Sequence, residues 1–381
     1  MTLIQTSTRR VPRLDWALAT SSAALLAMGA VLVWSASEDE FLQKQLVNIA
    51  IGIVLAVLVM TTDHRWVRIL TPLVYVGSMV GLLLVLGMGS TINGSRSWIL
   101  IGPLSIQPAE FAKLAVIVGM ALVVAERTEG RRGRVKDLDV VGMLAVAAMP
   151  AVLILMQPDL GTMLVLGATV FGVLAVSGAP RRWLAGLFAG AMVAAAAVVQ
   201  FGVLKDYQVD RFMAFTDPLL DPRGAGYNTE QARIAIGNGG IWGQGLFDGS
   251  QTKSGFVPEQ HTDFIFTVAG EELGLVGAGV LILLLTVVLW RALSIAANAP
   301  DLFGRVAAAG IACWLGFQSF QNIGMCLGIM PVTGVPLPFV SYGGSSMFAT
   351  LIAVGLLQNI HLRTERSGLG VARSRLVRSR Y

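Results

Sequence analysis

Residues 263 to 290 read DFIFTVAGEELGLVGAGVLILLLTVVLW. The stretch is almost continuously apolar, and that character decides the fold. A spanning helix needs about 20 mostly apolar residues, whereas the strands of a membrane barrel would alternate over about ten. Backbone polar groups in lipid must be satisfied within the segment, which favours the helix. Nine more stretches of this kind lie near 16–35, 45–62, 68–88, 108–125, 138–156, 160–178, 182–203, 305–330 and 344–361. The composition agrees: of 381 residues, 55% are hydrophobic and 13% charged, and the mean hydropathy is +0.70. No ordinary soluble domain has this balance. The expected fold class is all-α, a polytopic membrane protein of about ten transmembrane helices forming a single integral membrane domain over 1–381.

Charge predicts the orientation. With residues 1–15 as a cytoplasmic tail, 20 of the 28 lysines and arginines fall on the inner side, including six arginines of a basic tail at 363–381. An even number of spans with both termini cytoplasmic satisfies the positive-inside rule. The pI near 9.5 is thereby explained by topology or by anionic lipid, and no interleaved aromatic and basic motif points to nucleic acid. The first apolar run, longer than a cleaved leader and followed by nine others, reads as a retained signal anchor. Cys313 and Cys326 fall in one span, roughly 20 Å apart along a helix, so they do not pair.

This topology puts 89–107, 156–160, 204–262 and 331–343 outside. The longest, 204–262 between helices seven and eight, exceeds any simple link. Within it YNTEQARIAIGNGG reads as a short helix ended by glycines. GGIWGQGLFDG reads as a flexible loop, with backbone amides that would suit a phosphate as the sharper alternative.

Polar residues gather at the outer ends. In VPEQHTDFIF, 257–266, Pro258 suits a first helical turn, which would put Glu259 and Asp263 on one face. Glu259 also reads as a helix-end acid. Asp263 adjoins Phe264, Ile265 and Phe266 at the lipid boundary, where a carboxylate is kept with a partner or a purpose. Glu271 and Glu272, slightly deeper, make the same argument less decisively, since either could simply pair with another helix. His261 reads as a hydrogen-bonding scaffold residue. In QPAEFAK, 107–113, Glu110 and Lys113 lie on one helical face, and an ammonium there needs a carboxylate or an anionic ligand. QPDLGT, 157–162, repeats the helix-start chemistry. PVTGVPLPFVSYGGSS, 331–346, cannot be a continuous helix. Non-helical backbone at that depth must line protein or a water-filled cavity, with Ser341 and Tyr342 as candidate substrate contacts.

Taken together, QPAEFAK, QPDLGT, RIAIGNGGIWGQG, PEQHTDFIFTVAGEELGLVG and NIGMCLGIMPVTGVPLPFVSYGGSS resemble the SEDS family (shape, elongation, division and sporulation) of polytopic peptidoglycan glycosyltransferases. The match covers nearly all ten spans. It departs where the family often has Ala-x-Arg-Trp and this chain has Ser95, Arg96, Ser97 and Trp98. The resemblance implies Asp263 as the catalytic aspartate and Glu110 and Lys113 as the paired positions of QPxEFxK. It further implies the inner (cytoplasmic) membrane, lipid II and the nascent glycan strand as substrates, and a class B penicillin-binding protein as partner.

The chemistry is independently reasonable. Joining sugars from a diphosphate-linked donor with inversion needs a general base for the attacking hydroxyl and cations for the departing diphosphate. Asp263 is the candidate base, with Lys113, Arg211 and Arg233 as candidate cations. Glu110, Glu259, His261, Ser341 and Tyr342 complete the expected substrate contacts. A divalent cation, magnesium or manganese, is the one cofactor this chemistry leaves room for, and no ligand cluster in the sequence selects it. A lipid-linked substrate also needs a groove open sideways to the bilayer, expected at the outer ends of spans four and eight. Two rival classes are a lipid II flippase or transporter, which lacks the clear inverted repeats of that class, and a non-enzymatic scaffold, for which Asp263 would be dispensable.

Overall fold

The computed structural model describes residues 13–37, 39–92, 95–101, 104–129, 131, 135–201 and 225–378. Arg211 and the first part of the 204–262 connection lie outside the described residues. The chain runs α1 (Trp16–Ala36), α2 (Asp39–Thr61), α3 (His64–Met88), β1 (Ser90–Ile92), β2 (Ser95–Ile101), β3 (Leu104–Ile106), α4 (Pro108–Thr128), α5 (Asp137–Met156), α6 (Leu160–Ser177) and α7 (Arg181–Gln200). After 225 come α8 (Ala225–Gly239), α9 (Ser250–Ser254), α10 (Ile265–Asn298), α11 (Leu302–Cys326) and α12 (Gly344–Arg378). The protein is a polytopic all-α membrane protein: eight of these helices, α1 to α6, α10 and α12, are long and apolar enough to cross a membrane. α7 and α11 occupy the other two predicted spans.

Local chemistry sets the starts of several helices. The carboxylates of Asp15, Asp63, Asp159 and Asp301 accept first-turn backbone N–H groups of α1, α3, α6 and α11. Each satisfies an orphan donor and sits at the positive end of its helix dipole. Pro108 opens α4, where its missing N–H costs nothing. α4 is the centre of the bundle. Most of its residues are buried, and it touches α3, α5, α6, α11 and α12. α2 packs on α12 and α1 on α10, leaving the outward faces of α2 and α3 apolar and exposed to lipid.

Three features depart from the sequence expectations. The 89–107 connection folds as an antiparallel meander, β1-β2-β3, with Ser90 opposite Trp98 and Ile99 opposite Ile106. Arg96 turns away from its neighbours to donate to Gly89 O at 2.8 Å and Gly87 O at 3.0 Å, closing the end of α3. Second, Pro258 does not start a helix: Glu259 adopts φ 53°, a left-handed conformation that breaks one. Residues 258–264 form successive turns and α10 begins at Ile265. Glu259 and Asp263 therefore share no helical face.

The third departure is the break in α10 at Gly274, φ 63° and ψ −166°. A broken helix frees backbone groups that need other partners. Here the glycine-rich segment after α8 satisfies them. Gln244 N donates to Glu271 O at 2.9 Å and Gly245 N to Glu272 O at 3.1 Å, while Leu275 N and Val276 N donate back to Gly240 O and Ile241 O. A Cβ at Gly243 would stand 2.1 Å from Glu272 O, so the approach requires glycine. These amides are committed to the helix break rather than presented as a phosphate cradle.

Candidate active site

One face of α11 carries Gln318, Gln321 and Asn322, all fully buried in an otherwise apolar helix. Their amides hold the non-helical segment 331–336. Gln318 Nε2 donates to Pro336 O at 2.8 Å, Gln321 Nε2 to Pro331 O at 3.1 Å, and Asn322 Nδ2 to Val335 O at 2.8 Å. They supply what water cannot at this depth. Asn322 Nδ2 also donates to Asp263 O at 2.7 Å, so one side chain locks the 331–336 wall to the turn that carries Asp263. Ser341 Oγ donates to Thr262 O at 2.6 Å and accepts from Leu337 N at 2.8 Å, and Tyr342 N donates to His261 O at 2.9 Å.

These ties shape an open cavity of about 170 Å³. Every wall comes from the same end of the bundle: Ser97 and Trp98 of the meander, Pro158 and Asp159 before α6, Glu259, Thr262 and Asp263, and the 333–346 connection. Gly334, with φ +68°, faces the catalytic candidate; a Cβ there would stand 3.1 Å from Asp263 Oδ2. Asp159 accepts from Thr162 N at 2.9 Å and from Gln107 Nε2 at 3.3 Å, joining the starts of α4 and α6. Among the described residues that line the cavity are three carboxylates, Asp159, Glu259 and Asp263, and no lysine or arginine.

The structure brings Asp263, Glu259 and Tyr342 together in the cavity wall. Ser341 is buried behind it as a tie between segments. His261 is half-buried at the rim, its ring centroid 4.6 Å from Phe41 and 5.8 Å from Tyr342. Burial pushes its pKa down, against the opposing charge of Glu259. Burial likewise raises the Tyr342 phenol, partly offset by Lys44.

Lys113 and Glu110 are placed differently. Lys113 Nζ lies 2.7 Å from Glu110 Oε1 and 2.7 Å from Gln318 Oε1, and the lysine has no exposed surface. Trp314 Nε1 donates to the same Gln318 oxygen at 2.7 Å. The ammonium is thus sealed behind the cavity wall, which it reaches only through Gln318 and Pro336. Arg233 is exposed on α8, its stem against Gly328, away from the cavity lining. Among the described residues no three His, Cys, Asp or Glu side chains assemble as metal ligands.

Glu271 and Glu272 are structural. Glu271 caps α9, accepting from Gln251 N at 2.7 Å and Thr252 N at 2.9 Å, and Glu272 accepts from Ser35 Oγ at 2.5 Å. Sequence reasoning read Asp159 as a helix start, which it is, but not as part of the cavity wall. It passed over the three amides of α11, whose signal was present as a polar cluster, Gln318, Ser319, Gln321 and Asn322, inside one predicted span.

Fold and site together define an integral membrane protein whose polar, acid-lined cavity is assembled from the connections at one end of a helical bundle. The FtsW/RodA/SpoVE cell cycle protein family matches residues 13–366, and the chain belongs to that family. It is 39% identical over 341 residues to the peptidoglycan glycosyltransferase MrdB of Escherichia coli K12, covering 89% of this chain and 90% of that protein. Stage V sporulation protein E of Bacillus subtilis is 38% identical over 355 residues, covering 88% and 93%. Among solved structures, a chain from a peptidoglycan synthase complex that coordinates polymerization and crosslinking superposes with TM-score 0.78 at 37% identity, covering 92% of this chain and 98% of that one. The rod shape determining protein RodA of Thermus thermophilus superposes with TM-score 0.68 at 34% identity, covering 91% and 96%. The wording of QPDLGT and of NIGM with PVTGVPLPF resembles RodA more than FtsW.

Proposed function

We propose that this protein is a peptidoglycan glycosyltransferase that polymerises lipid II at the outer face of the cytoplasmic membrane. The observation that carries this reading is the carboxylate of Asp263 in a cavity built from the outward connections. Asp263 takes the proton from the acceptor sugar hydroxyl as its oxygen bonds to the donor's anomeric carbon. The bond from that carbon to the lipid diphosphate breaks with inversion. One carboxylate suffices because a diphosphate leaves without protonation, unlike the leaving group of a glycoside hydrolase. The hydroxyls of Thr262, Thr333, Ser345 and Ser346 around the cavity are placed to bind sugar and phosphate oxygens. Arg211 is the proposed cation; Arg233, away from the cavity lining, is not placed to meet the diphosphate, and Lys113 acts by holding the wall.

A second opening supports a lipid-linked substrate. An apolar groove of about 340 Å³ is lined by Val74, Gly77 and Gly81 of α3, Ile99 and Ile106 of the meander, and Pro108 and Phe111 of α4. Its residues Ile99 and Pro108 are the chain neighbours of Trp98 and Gln107 in the cavity lining. Each buried CH₂ of a lipid tail contributes about 0.8 kcal/mol to anchoring, so the tail stays in this groove while the head reaches Asp263. The groove lies against spans three and four rather than four and eight, because the unforeseen meander forms its wall.

Both termini are proposed to be cytoplasmic. Arg65, Arg68, Arg127, Arg181, Arg182, Arg291, Arg305 and Arg363 lie at helix ends opposite the cavity, as the positive-inside rule requires. A class B penicillin-binding protein is the proposed partner, supported by the relative found in a synthase complex. The test is incubation of the purified protein with lipid II, with and without partner and chelator. Glycan polymer is expected, and its absence in every arm would favour a flippase or a scaffold.

A further inference from the structure

Between α8 and α9 the chain carries GIWGQGLF, residues 240–247, with Trp242 80% exposed and Ile241 60% exposed. Leu246 and Phe247 are also exposed, and none of the eight residues is charged. Such a patch on a segment outside the spans demands an occupant.

The level of the segment is fixed by its hydrogen bonds. Gly240 O and Ile241 O accept from Leu275 N and Val276 N. These are the first residues beyond the break in α10, and both expose their side chains. The part of α10 that follows, 275–298, reaches about 36 Å at 1.5 Å per residue and spans a bilayer unaided. The break therefore sits at the membrane boundary, not within it. At its other end the segment meets the last turns of α1. Phe247 takes φ 65° and lays its ring 4.8 Å from Trp34, itself partly exposed. Glu272 reaches Ser35 at the same level.

The backbone polar groups of the segment are bonded within the protein, while the Gln244 side chain is exposed. Gln244 Oε1 accepts from Ser250 N at 3.0 Å, and the amides of Gly243, Gln244 and Gly245 donate to Gly239 O, Glu271 O and Glu272 O. Apolar side chains outside, satisfied backbone inside, a tryptophan at the boundary and continuity with the lipid-facing side chains of α10 are what a bilayer interface selects. We propose that residues 240–247 form an anchor seated in the outer interface of the bilayer, holding the loop that carries the 257–263 turn down onto the membrane beside the cavity. The occupant of the patch is lipid, not a second copy of the chain or a partner domain.

Trp242 reports on this directly. The full-length protein and Trp242→Phe, both in lipid nanodiscs, are compared by tryptophan fluorescence with lipid brominated near the headgroup end of its acyl chains, and with aqueous iodide. The difference between the two proteins isolates Trp242 among the eight tryptophans. Brominated lipid is expected to lower that difference signal at least about twofold, and more than iodide does. Quenching by iodide and not by brominated lipid would mean a solvated loop. Quenching by neither would mean a protein covering. Either result overturns the anchor.

Discussion

Glu110 and Asp263 are both carboxylates at the cavity end of the bundle, and the fold treats them in opposite ways. Glu110 is 1% exposed and held by Lys113 at 2.7 Å, with Gln318 closing the far side of the ammonium. Asp263 has its carbonyl fixed by Asn322 while its side chain lines the cavity. A charge pair sealed from solvent is costly to break, because removing one partner leaves the other charge buried alone. A carboxylate held by its backbone, with the side chain in a cavity, is arranged for chemistry. The acids at the opposite end are also paired, though with partly exposed arginines: Asp15 with Arg291, Asp139 with Arg131, Asp301 with Arg363.

The largest effect expected from the sealed pair is on stability. Lys113→Ala leaves Glu110 buried without its cation and should lower unfolding free energy by about 3–5 kcal/mol. Glu110→Gln should lower the melting temperature as well, with activity falling in parallel in both variants. Thermal unfolding in detergent, read beside polymerisation rate, checks this. A Lys113→Ala protein of normal melting temperature and no activity would return the ammonium to the substrate.

Gly334→Ala sharpens the comparison from the cavity side. The added Cβ would press on Asp263 Oδ2 at 3.1 Å from a backbone at φ +68°. The rate should fall by about tenfold or more, since small misplacements of a reacting group are costly. The stability loss should be only about 1 kcal/mol. Equal activity in the alanine variant would show that Asp263 tolerates displacement.

The smallest effect concerns pH at the opposite end. Burial would raise the Asp301 carboxyl, but the His64 hydrogen bond and the Arg363 charge outweigh it and hold the group well below its usual range. A depressed acid contributes stability above its unfolded pKa of about 3.9 and loses it as pH falls toward the folded value. The melting temperature should therefore be level from neutral pH down to about 4 and decline below that. Arg363→Gln should flatten the decline.

What the sequence made legible was governed by range. The spans were readable because their signal is local: continuous apolar runs gave α1, α3, α4 and α6 within a few residues of 16–35, 68–88, 108–125 and 160–178. Asp263 was readable because one charge beside three apolar residues is a local anomaly. The α10 break was not readable, since Gly274 in a run of glycines and leucines carries no mark until Gly240 and Ile241 supply its missing hydrogen bonds. The role of Asn322 was hidden for the same reason, its partners being Asp263 and Val335. Lys113 was legible as a charge needing a partner, but only packing shows that Gln318 and Trp314 enclose it.

The most direct test of the central claim is Asp263→Asn, which keeps the shape of the side chain and removes its basicity. Polymerisation of lipid II should fall by about 10²–10⁴-fold, the usual contribution of a general base, with the melting temperature unchanged. Turnover at the wild-type rate, or a loss of activity matched by a loss of melting temperature, would contradict the account.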